Sequence, residues 1–487
     1  MVKASRGLRL HPTSPLFAVI SSVRNLIFVI IAALVASGND RFDTWIGIVI
    51  GIGALFGAAR YFTTWYRIDE GELVVSSGIF FRNERHVPLG RIQNLDLIRG
   101  PVHRLFGVAE VRVQTASGTE PEAVLRVLSM AAIDRLRAGI GRGDGIDVTE
   151  GERADANHAD AMGDLVLSLG IDELVRLGLV SNRSLVIVGA AIGLVWEFGF
   201  GPYIESTFKD VEPIMRGLGM GATAIAALVG IAIVLVLMPL LSISWTILRF
   251  YGFRLERVGE DFRHQCGLLT EYSSSVDRRR VQVVSVRESP LHRMLGRVSI
   301  RVETAGGAGE KDQLMSRRWF VPIVARSEAD RIVGMVFPGV SIENVEWKPL
   351  AKKALRRMMK KAVLSWLAVS AGLAAWFELW GVGVAVVALP LVIWHTVRTV
   401  RFMSYARAGE AIMFRSGVWM RATTVTLEDR VQVVTVRESP FDRRHGHASL
   451  AIDTAGAGAA ERKIAIPYLD GEVAGALRRS IAAQSAA

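Results

Sequence analysis

Apolar and polar positions along the chain form two kinds of segment that alternate three times. One kind is apolar on every side. Leu16 to Ala36 and Thr44 to Thr63 make a first pair, Ser184 to about Tyr203 and Ala222 to Leu248 a second, and Ala362 to Phe377 and Val382 to Thr396 a third. A bilayer core about 30 Å thick takes about 20 helical residues to cross, so the first two pairs have ample length. The third is at the short end and either spans or dips in as a tight hairpin. Its flanking tryptophans (Trp366, Trp376, Trp380, Trp394) favour spanning. The other kind of segment alternates with a period of two: Ala109, Val111, Val113, then Val298, Ile300, Val302, then Ala448, Leu450, Ile452. That is the pattern of a strand with one buried and one wet face.

The alternating segments sit inside a repeat. RIQNLDLIRGPVHRLFGVAEVRVQTASG starts at Arg91, RVQVVSVRESPLHRMLGRVSIRVETAGG at Arg280 and RVQVVTVRESPFDRRHGHASLAIDTAGAG at Arg430. The landmarks keep one register: Arg91, Pro101, Gly107, Thr115; Arg280, Pro290, Gly296, Thr304; Arg430, Pro440, Gly446, Thr454. Gly78, Gly267 and Gly417 precede each arginine at a fixed distance. One small unit is therefore used three times. Proline and glycine punctuate a turn between two strands. Further strands are expected before it, such as Glu72 to Ser76 and Ile79 to Arg82, and a helix after it in two copies, Glu328 to Val336 and Asp470 to Ile481. The expectation is antiparallel sheet closed by a helix, a small barrel or bent sandwich.

The implied boundaries are a membrane hairpin at 1–65, a module at 66–140, a disordered linker at 141–163 and an amphipathic helix at 164–182. A second hairpin at 183–249, a module at 250–346, a basic amphipathic helix at 347–361, a third hairpin at 362–400 and a module at 401–487 follow. The hairpin tips are poor in Lys and Arg while the other ends are rich in them, which places the N-terminus and all three modules on the cytoplasmic side of an inner membrane. The first apolar stretch is too long for a cleaved signal and reads as a retained anchor.

Charge adds a local feature. KPLAKKALRRMMKK, from Lys348, carries Lys352, Lys353, Arg356, Arg357, Lys360 and Lys361 on one helical stripe and small or apolar residues on the other. Such a helix is expected to lie on the bilayer with its cations against anionic headgroups. The net charge of +11 gathers beside apolar segments with no aromatic stacking motif, so nucleic acid is not the expected partner.

A pair of spans followed by a β module with Arg91, Gln93, Pro101, Gly107 and Thr115, and their counterparts Arg280, Gln282, Pro290, Gly296, Thr304 and Arg430, Gln432, Pro440, Gly446, Thr454, resembles the bacterial YdbS/YdbT-type membrane proteins with pleckstrin-homology-like domains. The three-module arrangement is most similar to the YdbT type. The resemblance implies membrane α-helical hairpins plus α+β modules: three pleckstrin-homology-like β-barrels, each capped by a helix and preceded by a two-helix hairpin. It also implies a plasma-membrane location and a part in tolerance to membrane-active peptides. The first repeat departs from the others at Ile98-Arg99-Gly100, where they have Arg-Glu-Ser.

Among the repeated turns, Arg293, Arg297, Arg443 and Arg444 are candidates for contact with an anionic partner. Arg24 and Glu197, ionisable residues inside apolar spans, are functional candidates by position. No metal-ligand spacing, nucleotide loop or Ser/His/Asp set is present, so no enzyme, cofactor or metal is expected. The single cysteine, Cys266, reads as a small core residue. The function expected is a multi-pass scaffold that presents three modules at the bilayer and binds anionic inner-leaflet lipid or a protein, either another copy or a smaller membrane protein of the same family. The alternative is a transporter or lipid-translocating component with a path between the hairpins.

Overall fold

The computed structural model describes residues 63–69, 71–78, 83–115, 123–141, 163–181, 222–304, 320–351, 354–454 and 464–484, with Leu8–Arg9 and four isolated positions, Phe17, Gly51, Ala59 and Ser206. The chain divides into two compact units, Met1–Ser275 and Val276–Ala487.

The first unit opens with a four-stranded antiparallel sheet of β1 (Leu8–Arg9), β2 (Trp65–Asp69), β3 (Glu72–Ser77) and β4 (Asn83–Pro88) in that order. Then come β5 (Ile92–Arg99), a short helix α1 (Pro101–Leu105), β6 (Val108–Thr115), β7 (Ala123–Ser129) and the closing helix α2 (Met130–Gly141). Period-two alternation turns Val111 and Val113 of β6 inward, where they meet Leu73, Leu95, Leu125 and Ile133 in one core. Each such side chain contributes about 1.5–3 kcal/mol by leaving water. The closing helix exists in this repeat too, although its sequence pattern is clear only in the other two.

After β7 the same sheet continues into the second repeat. β8 (Asp164–Ser168), α3 (Ile171–Val180), α4 (Ala222–Phe250), β9 (Arg254–Val258), β10 (Asp261–Cys266) and β11 (Glu271–Asp277) follow in the chain. The sheet order is β7-β6-β5-β11-β10-β9-β8, so β11 of the second repeat pairs with β5 of the first.

The second unit repeats this joint. It holds β12 (Val281–Glu288), α5 (Pro290–Met294), β13 (Arg297–Thr304), β14 (Val321–Ala325), α6 (Ala329–Val336), β15 (Lys348–Pro349) and α7 (Ala354–Phe402). The third repeat supplies β16 (Ser404–Ala408), β17 (Ala411–Ser416), β18 (Arg421–Leu427), β19 (Val431–Arg437), α8 (Pro440–His445), β20 (His447–Thr454), β21 (Ile464–Asp470) and α9 (Gly471–Gln484). One sheet runs β14-β13-β12-β18-β17-β16-β15, and β19-β20-β21 form a separate three-stranded sheet. Both sheets and α9 enclose the core around Leu450, Ile452, Ile466 and Ile481.

Three devices recur. The motif glutamine sits at a bulge: the ladder slips between Ile92 and Asn94, between Val281 and Val283, and between Val431 and Val433. A bulge bends and twists a strand. The motif proline is the first residue of α1, α5 and α8, where its missing N–H costs nothing. The motif glycine after it is left-handed, with φ of 62° at Gly107, 62° at Gly296 and 70° at Gly446. Gly296→Ala is therefore expected to cost about 1–2 kcal/mol in urea unfolding, and Gly296→Asn less, because an asparagine side chain supports that conformation.

A fourth recurrence could not be read from periodicity. A strand before each apolar pair zips onto the first strand after it: Leu8 with Tyr66, Asp164 with Arg257, Lys348 with Tyr405. Accordingly the stretch expected as one helix over 164–182 is β8 followed by α3, and Gly178 of α3 packs on the backbone of Ile243 in α4. Ser242 Oγ donates to Gly178 O at 2.6 Å.

The stretch expected as a separate basic helix over 347–361 is also divided differently. Lys348–Pro349 is strand β15, and Ala354 onward is the start of α7. Leu350 and Ala354 are buried in the third module's core, which holds this end of α7 to the barrel. The third hairpin is α7 itself. Its two arms, Ala354–Phe377 and Trp380–Phe402, are each long and apolar enough to cross a membrane by length and composition. Gly381 meets the backbone of Leu373, and both arms line one cavity, so the helix doubles back near Glu378. The first hairpin, the first half of the second, and the interior of the 141–163 linker lie outside the described residues, as do Ile79 to Arg82.

Candidate functional site

The second unit gathers arginines at the foot of α7. Arg421, first residue of β18, lies opposite Glu288 of β12 in the ladder. Its guanidinium sits over the Phe402 ring, 4.5 Å from the centroid. Arg415 of β17 approaches the same ring at 5.5 Å and Trp347 at 4.5 Å, and its Nε donates to Ser404 Oγ at 2.5 Å. Arg398, near the end of α7, lies over Trp394 at 5.9 Å. Arg326 reaches Glu288 at 3.5 Å.

These groups feel one another. Burial pushes the Arg421 guanidinium below its ordinary value, as do the neighbouring Arg293, Arg326 and Arg398, with Glu288 opposing. Burial and Arg421 push Arg415 the same way. An arginine keeps its proton at any ordinary pH, so the crowding is not relieved by deprotonation. Arg421 Nε is shielded from solvent and has no acceptor among the described residues.

Beside the cluster is an apolar cavity of about 540 Å³ between the arms of α7. Trp366, Val369, Leu391 and Val392 line it, and Trp419 from the turn before β18 closes one side. Trp394 belongs to both places: it lines the cavity, stacks near Trp419 at 5.9 Å and carries Arg398. A cationic rim continuous with an apolar slot suits an amphiphile with an anionic head.

The residues singled out in the sequence fall in several places. Arg293 donates to the carbonyls of Val418 at 2.9 Å and Trp419 at 3.2 Å, and so joins the rim while clasping a turn. Arg357 is half-buried against Asp442 at 3.3 Å and over Phe441 at 5.2 Å. Lys361 donates to Tyr468 Oη at 3.1 Å. Arg356, Lys360, Arg443 and Arg444 are exposed, and Arg297 begins β13 half-buried. Lys352, Lys353, Arg24 and Glu197 lie outside the described residues. Arg415, Arg421 and Arg326 were not singled out. The available signal was a difference between repeats: the second has Gln265 and Glu271 where the third has Arg415 and Arg421.

The turns differ in their caps. Ser289 and Ser439 each close a capping box, with His292 and Asp442 as the reciprocal partners. Gly100 has no side chain to do so, which is the structural content of the first repeat's departure. Burial opposes ionisation of Asp442, but hydrogen bonds from the Ser439 side chain and backbone, with Arg357 beside it, hold its carboxyl below the usual range.

Comparison with known proteins agrees with this architecture. The bacterial PH domain family matches residues 18–143, 214–336 and 362–485. The chain is 20% identical over 458 residues to the UPF0699 transmembrane protein YdbT of Bacillus subtilis (strain 168), spanning 90% of this chain and 91% of that one. It is 30% identical over 125 residues to the UPF0699 transmembrane protein YdbS of the same organism, spanning 24% of this chain and 77% of that one. No solved structure matches.

Proposed function

The chain belongs to the bacterial PH domain family, as a membrane protein with three such modules, and from that premise we propose that it is a scaffold whose third module holds an anionic lipid at the foot of α7. The observation that carries this reading is the continuity of the arginine rim with the apolar cavity between two lipid-length helices. A phosphate-bearing headgroup would sit among Arg398, Arg415 and Arg421, with part of an acyl chain along Trp366 and Leu391. The role is binding, not catalysis.

The strand pairs around each apolar stretch support the accompanying topology. If β1 and β2 are neighbours, both ends of the first pair meet the same sheet and return to the same side of the bilayer; β8 with β9 and β15 with β16 argue likewise. All three modules then share one face, and the Lys and Arg bias makes that face cytoplasmic. Exposed apolar side chains along α7, among them Leu364, Val387 and Leu391, fit a lipid-facing surface.

The test uses the full chain, delipidated in detergent and titrated with phosphatidylglycerol or phosphatidylcholine under native mass spectrometry. Preferential retention of phosphatidylglycerol is expected, reduced about 30-fold in Arg415→Gln/Arg421→Gln, since each cation near an anionic head contributes about 1 kcal/mol. Equal retention of the two lipids, or an unchanged double variant, would remove the reading.

A further inference from the structure

The two joints between repeats are built alike. In the first, Leu97 faces Ser273, Ile98 faces Tyr272 and Arg99 faces Glu271. In the second, Val286 faces Thr423, Arg287 faces Ala422 and Glu288 faces Arg421, which are the same repeat positions. Each joint has a polar peg at the next rung, Ser274 Oγ to Asp96 at 2.6 Å and Ser285 Oγ to Thr424 Oγ1 at 3.5 Å. Each has an arginine clasp: Arg104 donates to Leu268 O and Leu269 O, and Arg293 to Val418 O and Trp419 O. Each ends in opposite charges, Arg99 with Glu271 at 3.4 Å and Glu288 across from Arg421.

The third repeat has the same donor half without an acceptor among the described residues. β19 is the counterpart of β5 and β12, yet among the described residues its only neighbour is β20. Its sequence VQVVTVR is uncharged up to its last residue and has no proline. Val433 is 53% exposed, whereas its counterpart Val283 is 2% exposed. Native proteins usually blunt an edge of that kind or pair it. The peg position is Thr435, the clasp is Arg443, and the terminal charge is Glu438. Arg443 is exposed, and its guanidinium has no partner among the described residues. The matching free half is β4 of the first repeat, which has only β3 beside it among the described residues.

We propose that β19 of one copy pairs antiparallel with β4 of a second copy, in the register of the two internal joints, so that the protein assembles head to tail through its sheets. The register places Thr435 across from Arg85 and Val436 across from Glu84. The contact is heterologous, since one copy offers β19 and the other β4. Backbone bonds along the edge give affinity, and the peg sets the register.

The test is cysteine pairing between differently tagged full chains in the same membranes, one carrying Thr435→Cys and the other Arg85→Cys. The native Cys266 does not interfere, because it is buried and its thiol is pushed up to about 12 by desolvation. Ser285→Cys/Thr424→Cys within one chain is the reference for a closed joint. A disulfide dimer containing both tags is expected, along with its loss when Val433→Lys is added. No mixed dimer under conditions that oxidise the reference pair would overturn the proposal. So would a bond that forms only within one chain carrying both cysteines. Lipid retention is read in a separate experiment, so the two proposals fail independently.

Discussion

Arg407→Ala is expected to destabilise the full chain in detergent by about 3–5 kcal/mol, far more than an ordinary surface substitution. Arg407 of β16 pairs with Glu428, Nε to Oε1 at 2.6 Å and Nη2 to Oε2 at 3.0 Å, and it donates to Ser480 of α9 at 2.5 Å. Glu428 is 1% exposed, so removing the arginine leaves a carboxylate in the interior with nothing to offset its lost hydration. The reverse change is milder. Arg407 is about one-third exposed and regains water when Glu428 is replaced, so Glu428→Ala is expected to cost about 1–2 kcal/mol. The double variant should be more stable than Arg407→Ala alone. Chemical unfolding of all four chains measures this as a cycle, and additivity within 0.5 kcal/mol, on the order expected of independent sites, would contradict the coupling. The pair ties the first sheet of the third module to its closing helix, so its loss should loosen the barrel that carries the foot of α7.

The strands with a wet face were legible because alternation is a local property. Val298, Ile300 and Val302 name β13 without knowledge of its neighbours, and proline and glycine mark the turn beside it. What a strand pairs with is not local. β5 and β11 meet across a gap of more than 170 residues, and neighbours of that kind leave no periodicity. A weak signal did exist: VQVVSV in β12 departs from strict alternation, with valine at four of its six positions, as in a strand covered on both faces. VQVVTV in β19 reads the same, which is why its free edge is informative. Two-residue strands such as β1 and β15 are too short for any pattern to show.

The site followed the same division. Basic residues in the turns and before the third hairpin were visible as charge, but their partners were not. The stripe from Lys348 looked like a membrane-surface helix because six cations share a face. Leu350 and Ala354 nevertheless bury in the barrel and Arg357 pairs with Asp442, since a short apolar stripe can be covered by protein as well as by lipid. Gln282 is buried, with Nε2 donating to Arg280 O at 3.3 Å, whereas its counterpart Gln432 is exposed. What the repeats share at that position is the bulge. Arg415 and Arg421 lie on strands far from the repeated turn, and only folding brings them to Phe402.

Acid should weaken the second module through one histidine. His292 is buried in the capping box of α5, where its Nδ1 takes the Ser289 N–H at 3.3 Å and lies 2.8 Å from Ser289 Oγ. That arrangement needs Nδ1 unprotonated. Desolvation agrees with it, lowering the pKa of the group from 6.5 to about 4. The unfolded chain therefore binds the proton first, and stability that is complete above pH 6.5 is lost as pH falls towards 4. The difference of about 2.5 units is worth about 3 kcal/mol. Acidification also protonates carboxylates elsewhere, so the histidine must be isolated by comparison. His292→Asn keeps an acceptor for Ser289 and removes the titration. The native chain should lose about 3 kcal/mol more than the variant between pH 7 and pH 4 in urea unfolding, with the gap opening below pH 6.5. Parallel curves would mean that His292 is protonated in the folded protein and that its ring does not close the cap. In the third module the same position is Asp442, a carboxylate held ionised by Ser439 and Arg357, so the corresponding loss there belongs to a lower pH. Two copies of one turn should thus open in sequence on acidification, the second module before the third.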